Sequence, residues 1–287
     1  MCAAELIDIS HWQDNVDYDA LAASGLPVYV KATDGDAVDE LFRQHAAALM
    51  ARGVLVGAYH FLRAGVHPDK QWDVFANEVE WMARQCGDVM LMPMLDIEER
   101  SLHMTEARAV AGQEMADDIR ATFGGVIIYS AAWYWDNTAY IPRGTLWQNE
   151  YLLWVAHYTF RGMPRLPAGW NEDRVAVWQY GIGGRHWWAR RVPGVRGECD
   201  RDRLINGYVI DDLVVGCAVP PDDDGFYATV SVPRLNVRAG PGTHYRVLGQ
   251  TTYGTRWKVE EVVLDHRGRQ WYRAGDEVYL AGWLMQV

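Results

Sequence analysis

Short apolar runs alternate with longer helical patterns along the first 200 residues. The runs are four to eight residues long and rich in β-branched side chains, as buried strands are. The predicted strands are 5–9, 27–31, 54–60, 90–97, 125–130, 152–157 and 174–180. Apolar residues spaced by three or four predict helices over 39–52, 69–85 and 105–122.

This order of elements indicates an α/β fold built on a parallel, barrel-like sheet, because strand–helix alternation buries each helix against the strands it connects. Beyond about residue 130 the helical patterns thin out while strands continue. The second half of the predicted barrel is therefore abbreviated.

A second region follows a short linker. Two prolines and three aspartates in 218–225 disfavour both helix and strand. Residues 226–287 consist of short alternating segments separated by Gly-rich turns, which is typical of a small all-β barrel. The predicted organisation is a domain over 1–217, a linker over 218–225 and a small domain over 226–287.

Charge and composition narrow the function. The chain carries a formal net charge of −11, and residues 1–217 alone account for −11, with −3 in the linker and +3 in the tail. An acidic body argues against nucleic acid as a partner. The 14 Trp and 15 Tyr have two open interpretations, because aromatic rings fill cores and also stack on sugars.

The cysteines and the first residues of the chain bear on metal binding, thiol redox state and cellular location. The four cysteines have no C-x-x-C spacing, so we expect neither a metal site nor a cofactor. The first residues lack a basic and then apolar leader, and no apolar run is long enough to span a bilayer. We therefore expect synthesis in the cytoplasm without a signal peptide, no membrane insertion and reduced thiols.

The strongest chemical signal is Asp96 and Glu98 at the end of an apolar run. Positions i and i+2 of a strand face the same side, with Cα atoms roughly 6.5 Å apart. Strand ends at the carboxyl face of a barrel are where active sites form. When two carboxylates are held close together, their repulsion raises the pKa of one of them. A raised pKa suits a general acid that works near neutral pH.

Two further acids lie at comparable places. Asp8 ends the first predicted strand, and Asp200 follows the last one. Because the first and last strands of a closed barrel are neighbours, we expect Asp8 and Asp200 to lie close together.

The order of several motifs resembles glycoside hydrolase family 25, the Chalaropsis-type lysozymes or N-acetylmuramidases. The matching segments span about 200 residues and are DISHWQ (8–13), YVKATDG (29–35), GAYHF (57–61), MLDIE (94–98), IIYS (127–130), LWVAHY (153–158), VWQYG (177–181) and ECDRDRLING (198–207). The resemblance implies a flattened TIM-like (β/α)5(β)3 barrel. It also implies bacterial peptidoglycan as the partner, cut at the β-1,4 bond between N-acetylmuramic acid and N-acetylglucosamine.

The resemblance also implies roles for the acids. Glu98 is the expected general acid, and Asp96 is expected to orient the substrate acetamido group that attacks the anomeric carbon. Asp8 and Asp200 complete the acidic cluster.

Several aromatic and flanking residues are candidates around these acids. Tyr59 and Tyr129 are expected to hydrogen-bond the acetamido group or the acids. The candidate sugar-stacking residues, each with core packing as an equal alternative, are Trp12, Trp154, Tyr158, Trp178 and Tyr180. For His11 and His60, packing or hydrogen bonding is favoured over proton transfer, and Lys31 is expected to offset part of the acidic charge.

The chain departs from the family pattern at the last motif. Cys199 precedes Asp200, and Asp202 stands where the family usually has Asn. The departure weakens the role assigned to Asp200 and leaves the pair at 96 and 98 untouched.

The tail resembles a bacterial SH3-type (SH3b) cell-wall-binding domain. The motif that carries the resemblance is LNVRAGPGTHYRVLGQ (235–250). It implies binding to the peptide or cross-bridge of peptidoglycan. The candidate residues are Tyr245, Trp257, Trp271 and Tyr272, and at least one or two of them are expected to fill the small core.

Other functions remain as alternatives. A chitinase-like hydrolase of N-acetylglucosamine polymers would carry a D-x-x-D-x-D-x-E run, which is absent before Asp96. A non-catalytic wall-binding protein on the same barrel is disfavoured because the acids are intact. A peptidase is disfavoured because the sequence contains no H-E-x-x-H motif. A wall hydrolase with a wall-binding tail and no leader suggests a phage endolysin released at lysis.

Overall fold

The computed structural model describes residues 5–99, 106–138, 147–217 and 226–286. The described residues up to 217 form one compact unit, and those from 226 onward form another. Within these ranges, no helix has the length and apolar character needed to cross a membrane.

The larger unit contains eleven strands and five α-helices among the described residues. The strands are β1 (Glu5–Ile9), β2 (Val28–Asp34), β3 (Ala37–Val38), β4 (Val56–Phe61), β5 (Val89–Leu91), β6 (Met94–Asp96), β7 (Ile127–Ala131), β8 (Leu152–Ala156), β9 (Val175–Gly183), β10 (Cys199–Leu204) and β11 (Val214–Gly216). The helices are α1 (Tyr18–Ala23), α2 (Phe42–Met50), α3 (Pro68–Ala83), α4 (Glu106–Phe123) and α5 (Ala132–Thr138).

Eight of these strands close into a barrel. Their order around the barrel is β1, β10, β9, β8, β7, β6, β4 and β2, and β2 pairs with β1 to complete the ring. Neighbours pair in parallel, except that β10 runs antiparallel to both β1 and β9. Each of the first five parallel strands is followed by one helix, and β8, β9 and β10 follow one another without an α-helix between them. The predicted α/β barrel is confirmed.

Alternate residues of each barrel strand face opposite sides, because the side-chain period of a strand is two. One set packs under the helices, including Ile7, Val30, Leu95, Ile128 and Leu153. The other set fills the interior of the barrel, which we call the lumen, and includes Leu6, Tyr29, Met94, Ile127 and Trp154. Gly57 belongs to this inner set, because a Cβ there would lie 2.7 Å from the Tyr29 ring. The lumen is therefore a packed core.

The structure corrects several predicted boundaries. The predicted strand 90–97 is two strands, β5 and β6, separated at Pro93, and only β6 belongs to the barrel. Proline has no N–H to contribute to a ladder. Asp200 lies inside β10 rather than after the last strand. Two short helices, α1 and α5, were not predicted, although Asp17 caps α1 by accepting a hydrogen bond from the Ala20 N–H at 3.0 Å.

The expectation of reduced thiols is wrong for two cysteines. Cys86, just beyond α3, forms a disulfide with Cys217, just beyond β11, across 131 positions of sequence. Strand β11 pairs antiparallel with β5, so the two cysteines lie at the ends of adjoining elements. Cys199 is a buried free thiol, and Cys2 lies outside the described residues.

The smaller unit is all-β apart from a short 3-10 helix at Gly282–Leu284. Its strands are β12 (Phe226–Val230), β13 (Arg234–Arg238), β14 (Val247–Thr252), β15 (Arg256–Val259), β16 (Glu261–Leu264), β17 (Gln270–Arg273), β18 (Tyr279–Ala281) and β19 (Met285–Gln286). They form a three-stranded sheet, β15-β12-β19, and a five-stranded sheet, β14-β13-β18-β17-β16. The predicted linker, 218–225, lies outside the described residues.

Candidate active site

The lumen changes character along the barrel axis. Apolar side chains such as Leu6 and Met94 fill its lower part. Two residues further along the same strands, on the same inner face, stand Asp8 and Asp96. Because the parallel strands all point the same way, these carboxylates meet at the carboxyl end of the barrel. The mouth of the lumen is therefore acidic.

Asp96 and Glu98 stand together at the end of β6. Asp96 is the last residue of the strand, and it lies in register with Phe61 on β4 and Tyr129 on β7. Its side chain is buried, and its Oδ1 accepts no hydrogen bond within the described part of the chain. Glu98, two residues later, is half-buried. The charge of Glu98 raises the pKa of both Asp96 and Asp8, as expected for acids that share one mouth.

Asp8 and Asp200 are linked through Gln179 of β9. The Gln179 amide donates to Asp8 Oδ2 at 2.9 Å, and its Oε1 accepts from the Tyr129 and Tyr158 hydroxyls at 2.8 and 2.9 Å. The Tyr158 hydroxyl also lies 3.4 Å from Asp200 Oδ1. Because β10 is antiparallel, Asp200 near its start reaches the mouth where β1 ends. The structure thus brings together Asp8, Asp96, Glu98 and Asp200.

Burial dominates the electrostatics of this cluster. Loss of solvation raises the pKa of Asp8 to about 6, with the charge of Glu98 adding to the effect and the Gln179 hydrogen bond opposing it. Burial likewise raises the pKa of Asp96, and Glu98 adds to that shift. Burial and the charge of Asp8 raise the pKa of Asp200. The pKa values of these three buried acids therefore all lie above the ordinary value for an aspartate.

Asp202 is a further acid below the mouth. Its side chain is fully buried, and its Oδ1 accepts a hydrogen bond from Trp154 Nε1 at 3.0 Å. Burial and the charges of Asp8 and Asp200 raise its pKa. A neutral carboxylic acid is nearly the same size and shape as the amide that this position usually carries in the resembling family.

A separate ionic network flanks the mouth. Lys31 pairs with Asp34 at 2.9 Å, and Arg63 bonds both Asp34 and Glu99. Burial would raise the pKa of Asp34, but the hydrogen bonds from Arg63 and Lys31 outweigh it and lower the pKa. The charge of Lys31 also lowers the pKa of Asp96, as expected for a cation that offsets the cluster.

A family model for glycosyl hydrolases family 25 matches residues 7–185, which is more than half of the chain and extends through β9 of the barrel. The chain belongs to glycosyl hydrolase family 25. A curated relative, the uncharacterized protein YegX of Escherichia coli K12, is 31% identical over 212 residues that cover 71% of this hydrolase and 70% of YegX.

Solved structures resemble the barrel of this hydrolase. The bacterial lysozyme from Streptomyces coelicolor aligns with a TM-score of 0.57 at 25% identity, covering 74% of this chain and 96% of the lysozyme. The catalytic domain of endolysin ply40, from bacteriophage P40 of Listeria monocytogenes, aligns with a TM-score of 0.57 at 21% identity, covering 74% and 97%. The family and its lysozyme relative make this chain a glycoside hydrolase.

Three predicted sugar-stacking residues of the hydrolase are core residues instead. Trp154 is fully buried in the lumen and bonds Asp202. Trp178 and Tyr180 pack on the outer side of the barrel, where Trp178 donates to the His157 carbonyl at 2.8 Å and Tyr180 donates to Glu5 at 2.9 Å. A buried ring has no face free for a sugar, so the stacking assignment is wrong for these three.

The other predicted aromatic residues surround the mouth. Tyr59 and Tyr129 are buried beside the acids, whose charges raise the pKa of both hydroxyls further after burial itself. Trp12, on the loop after β1, has 79% of its surface exposed, and Tyr158, on the loop after β8, has 44%. Sugar contact remains a prediction for these four.

Both histidines are held by hydrogen bonds to residues other than the four clustered acids. His60 lies on the outer side of β4, fully buried, between Thr33 at 2.7 Å and Gln71 at 3.1 Å. His11 bonds Asp39 at 2.6 Å and contacts the Trp12 ring. Within the described residues, no three His, Cys, Asp or Glu side chains are grouped as a metal ion would require.

In the small unit, the predicted binding aromatics divide in two. Trp271 and Tyr272 lie in its hydrophobic core, so the binding assignment is wrong for them. Tyr245 is exposed and Trp257 is half-buried, and both remain candidates.

Sequence reasoning missed Gln179 as a site residue. This side chain bonds one acid and two tyrosines that were all predicted. The available signal was a single amide in an otherwise apolar strand, in the motif VWQYG, because a buried polar side chain needs partners.

Proposed function

We propose that the hydrolase cuts the β-1,4 bond between N-acetylmuramic acid and N-acetylglucosamine in peptidoglycan. The observation that carries the proposal is the meeting of Asp8, Asp96, Glu98 and Asp200 at one end of a closed barrel. Glycosidases break this type of bond with a pair of carboxyl groups in different protonation states. Strong burial and mutual repulsion supply that difference here.

Glu98 is the general acid in this proposal. It is the half-buried member of the pair, so it can reach a glycan lying across the mouth. As the bond between the anomeric carbon and the bridging oxygen breaks, Glu98 gives its proton to that oxygen, which leaves with the departing sugar. Glu98 then accepts a proton from the water that attacks the anomeric carbon.

Asp96 holds the substrate acetamido group. Its Oδ1 is buried and has no donor from the described protein, so it can accept the acetamido N–H. The acetamido oxygen then bonds to the anomeric carbon as the leaving group departs, and the later attack of water opens that ring. Repulsion between the two acids keeps one proton on the Asp96–Glu98 pair. Once Glu98 has given this proton to the departing oxygen, the charge of Asp96 stabilises the developing positive charge nearby.

The small unit and the disulfide support action at the wall outside the cytoplasm. We propose that residues 226–287 form an SH3b-type module that binds the peptide or cross-bridge, with Tyr245 and Trp257 as the remaining candidates. The Cys86–Cys217 disulfide fits an oxidising location, where such bonds persist. Release at phage lysis is consistent with the structural likeness to a phage endolysin catalytic domain.

Mass spectrometry of digested peptidoglycan tests the proposal. The wild-type protein should release fragments with new reducing-end muramic acid, and Glu98→Gln should release fewer by a factor of about 10³ or more. Glu172→Gln is the matched control, because Glu172 is exposed at the opposite end of β9.

Two results would contradict it. New reducing-end N-acetylglucosamine, or equal cleavage of chitin oligomers, would favour the chitinase-like alternative. Full activity of a correctly folded Glu98→Gln protein would remove Glu98 from its role.

A further inference from the structure

A row of aromatic side chains leads away from the acids. It begins at Tyr158, whose hydroxyl lies 3.4 Å from Asp200 Oδ1, and continues to the His186 ring at 5.5 Å. His186 stacks on Trp188 with parallel planes and centroids 4.5 Å apart. Phe160 lies 5.4 Å from Trp188 and 5.2 Å from Trp187. We call these five residues the aromatic ridge.

Tyr158, Phe160 and Trp187 of the ridge are exposed, whereas His186 and Trp188 are half-buried. Trp187 has 80% of its surface exposed, and Phe160 has 49%. Large apolar side chains grouped at the surface mark binding sites more often than chance placement. The ridge is built by the loops that follow β8 and β9, and both loops leave the barrel at the mouth that holds the acids.

The second of these loops is held firmly against its strand. Trp188 Nε1 donates to the Tyr180 carbonyl at 3.1 Å. A Cβ at Gly181 would lie 2.8 Å from Trp188 Nε1, and one at Gly183 would lie 2.4 Å from the Arg190 carbonyl oxygen. Only glycine allows this close approach. The ridge is therefore a preformed surface, which reduces the entropic cost of binding.

The same two loops are basic in an acidic protein. Residues 157–171 and 184–198 carry six arginines against a single acid, Glu198, while residues 1–217 as a whole have a net charge of −11. The short 3-10 helix Glu172–Arg174 before β9 adds two acids and one arginine. Arg161 lies 5.0 Å from the Phe160 ring centroid. Arg161, Arg190 and Arg191 are exposed, and within the described residues none of them has an ion-pair partner. These guanidinium groups are available to an anionic ligand.

We propose that the aromatic ridge and its arginines form an extended subsite for a glycan strand that carries carboxylate-bearing stem peptides. The flat rings stack on sugar faces beyond the cleaved bond, and Arg161 and Arg190 pair with carboxylates of the stem. The inference rests on the proposed function, since it assigns the part of the substrate that lies next to the acids. Continuity with the acidic mouth and the complementary charge favour this ligand over a neutral glycan.

Binding to two soluble ligands tests the subsite. One ligand is a muramic acid–glucosamine tetrasaccharide with its stem peptides, and the other is the same tetrasaccharide after amidase has removed the peptides. Dissociation constants are measured by calorimetry with the full chain carrying Glu98→Gln, so that neither ligand is cut. The Trp187, Arg161 and Arg190 variants all carry the same small unit, so differences among them report on the ridge.

The two kinds of substitution should behave differently. Trp187→Ala should weaken binding of both ligands by up to about tenfold, because it removes a stacking face. Arg161→Gln and Arg190→Gln should each weaken binding of the peptide-bearing ligand by roughly two- to fivefold, and leave the peptide-free ligand unchanged. That selective effect should fade as salt is raised.

Matched controls are Trp283→Ala, an exposed Trp of the small unit, and Arg174→Gln, an exposed Arg before β9. Both should bind like the parent. Unchanged binding of the peptide-bearing ligand by the arginine variants, or unchanged binding of both ligands by Trp187→Ala, would overturn the subsite. Failure of the wild-type protein to release reducing-end muramic acid would instead overturn the proposed function, since the binding experiment requires no cleavage.

Discussion

The barrel mouth and the small unit both bury aspartates, but with opposite consequences. Asp265, in the turn between β16 and β17, accepts hydrogen bonds from the Arg267 and Arg269 backbone N–H groups, from Arg269 Nε and from Trp271 Nε1. Burial would raise its pKa, but these donors outweigh burial and lower it. In the mouth, Asp96 has an Oδ1 with no donor from the described protein, and its pKa is raised.

The difference shows that burial alone does not make a carboxylate reactive. A carboxylate surrounded by donors is stabilised as an anion and holds a turn in place. A carboxyl group that is buried with few donors and with other acids nearby has a raised pKa, and an oxygen without a donor can accept a new hydrogen bond. The number of donors separates the structural acid from the proposed catalytic ones.

The largest expected effect is the loss of activity when Asp96, whose Oδ1 has no donor within the described residues, is replaced. Asp96→Asn keeps an amide oxygen that can accept the acetamido N–H, but it removes the negative charge that stabilises the developing positive charge. The kcat on soluble glycan should fall roughly 10²–10³-fold, measured by release of reducing ends, while Asp265→Asn should leave it unchanged. A kcat within threefold of wild type would contradict the role of Asp96.

The next test changes the donors in the mouth. Gln179→Leu removes the amide that lowers the pKa of Asp8, so that pKa should rise above its value of about 6. Tyr158→Phe removes a donor to Asp200 and should raise the pKa of Asp200 instead. Carboxyl 13C NMR titration measures both. If Gln179→Leu leaves the pKa of Asp8 unchanged, the number of hydrogen-bond donors does not control the pKa values in the mouth.

A smaller effect is expected on the stability of the small unit. The lowered pKa of Asp265 contributes stability that is present above its ordinary value of 3.8 and lost as pH falls through the lower folded value. Asp265→Asn should therefore lower the melting temperature most at neutral pH, and the difference from wild type should shrink in strong acid. Thermal melts from pH 2 to 7 measure it, and a difference that grows toward acid would contradict the prediction.

The smallest effect should have the opposite sign. The raised pKa of Asp202 means that its stabilising contribution is complete below 3.8 and is lost as pH rises toward and through the folded value. Asp202→Asn keeps an acceptor for Trp154 and stays neutral, so its melting temperature should exceed that of wild type increasingly from pH 4 to pH 8. If wild type and Asp202→Asn melt at the same temperature throughout this range, ionisation of Asp202 does not destabilise the fold and the prediction is wrong.

Much of the barrel could be predicted because its signals are local. The strands read as apolar runs, and the period of two predicted that Asp96 and Glu98 share a face, although β6 ends at Asp96 and Glu98 lies just beyond it. The split at Pro93 and the position of Asp200 inside β10 could not be read in the same way, because both depend on which strand pairs with which. The disulfide was missed for the same reason, since Cys86 and Cys217 are joined by folding and not by spacing.

The sequence by itself determined the alternation of strands and helices, the acids at strand ends and the family, because these are carried by short segments with a fixed period. Only the tertiary structure decided which aromatic side chains are exposed and which fill the core. Trp154 and Trp187 are the same residue type, yet one is sealed in the lumen and the other is 80% exposed on a loop. Distant parts of the chain bury each carboxylate and supply its hydrogen-bond donors. Because burial and donors set the pKa of a carboxylate, its chemistry is decided only when the chain folds.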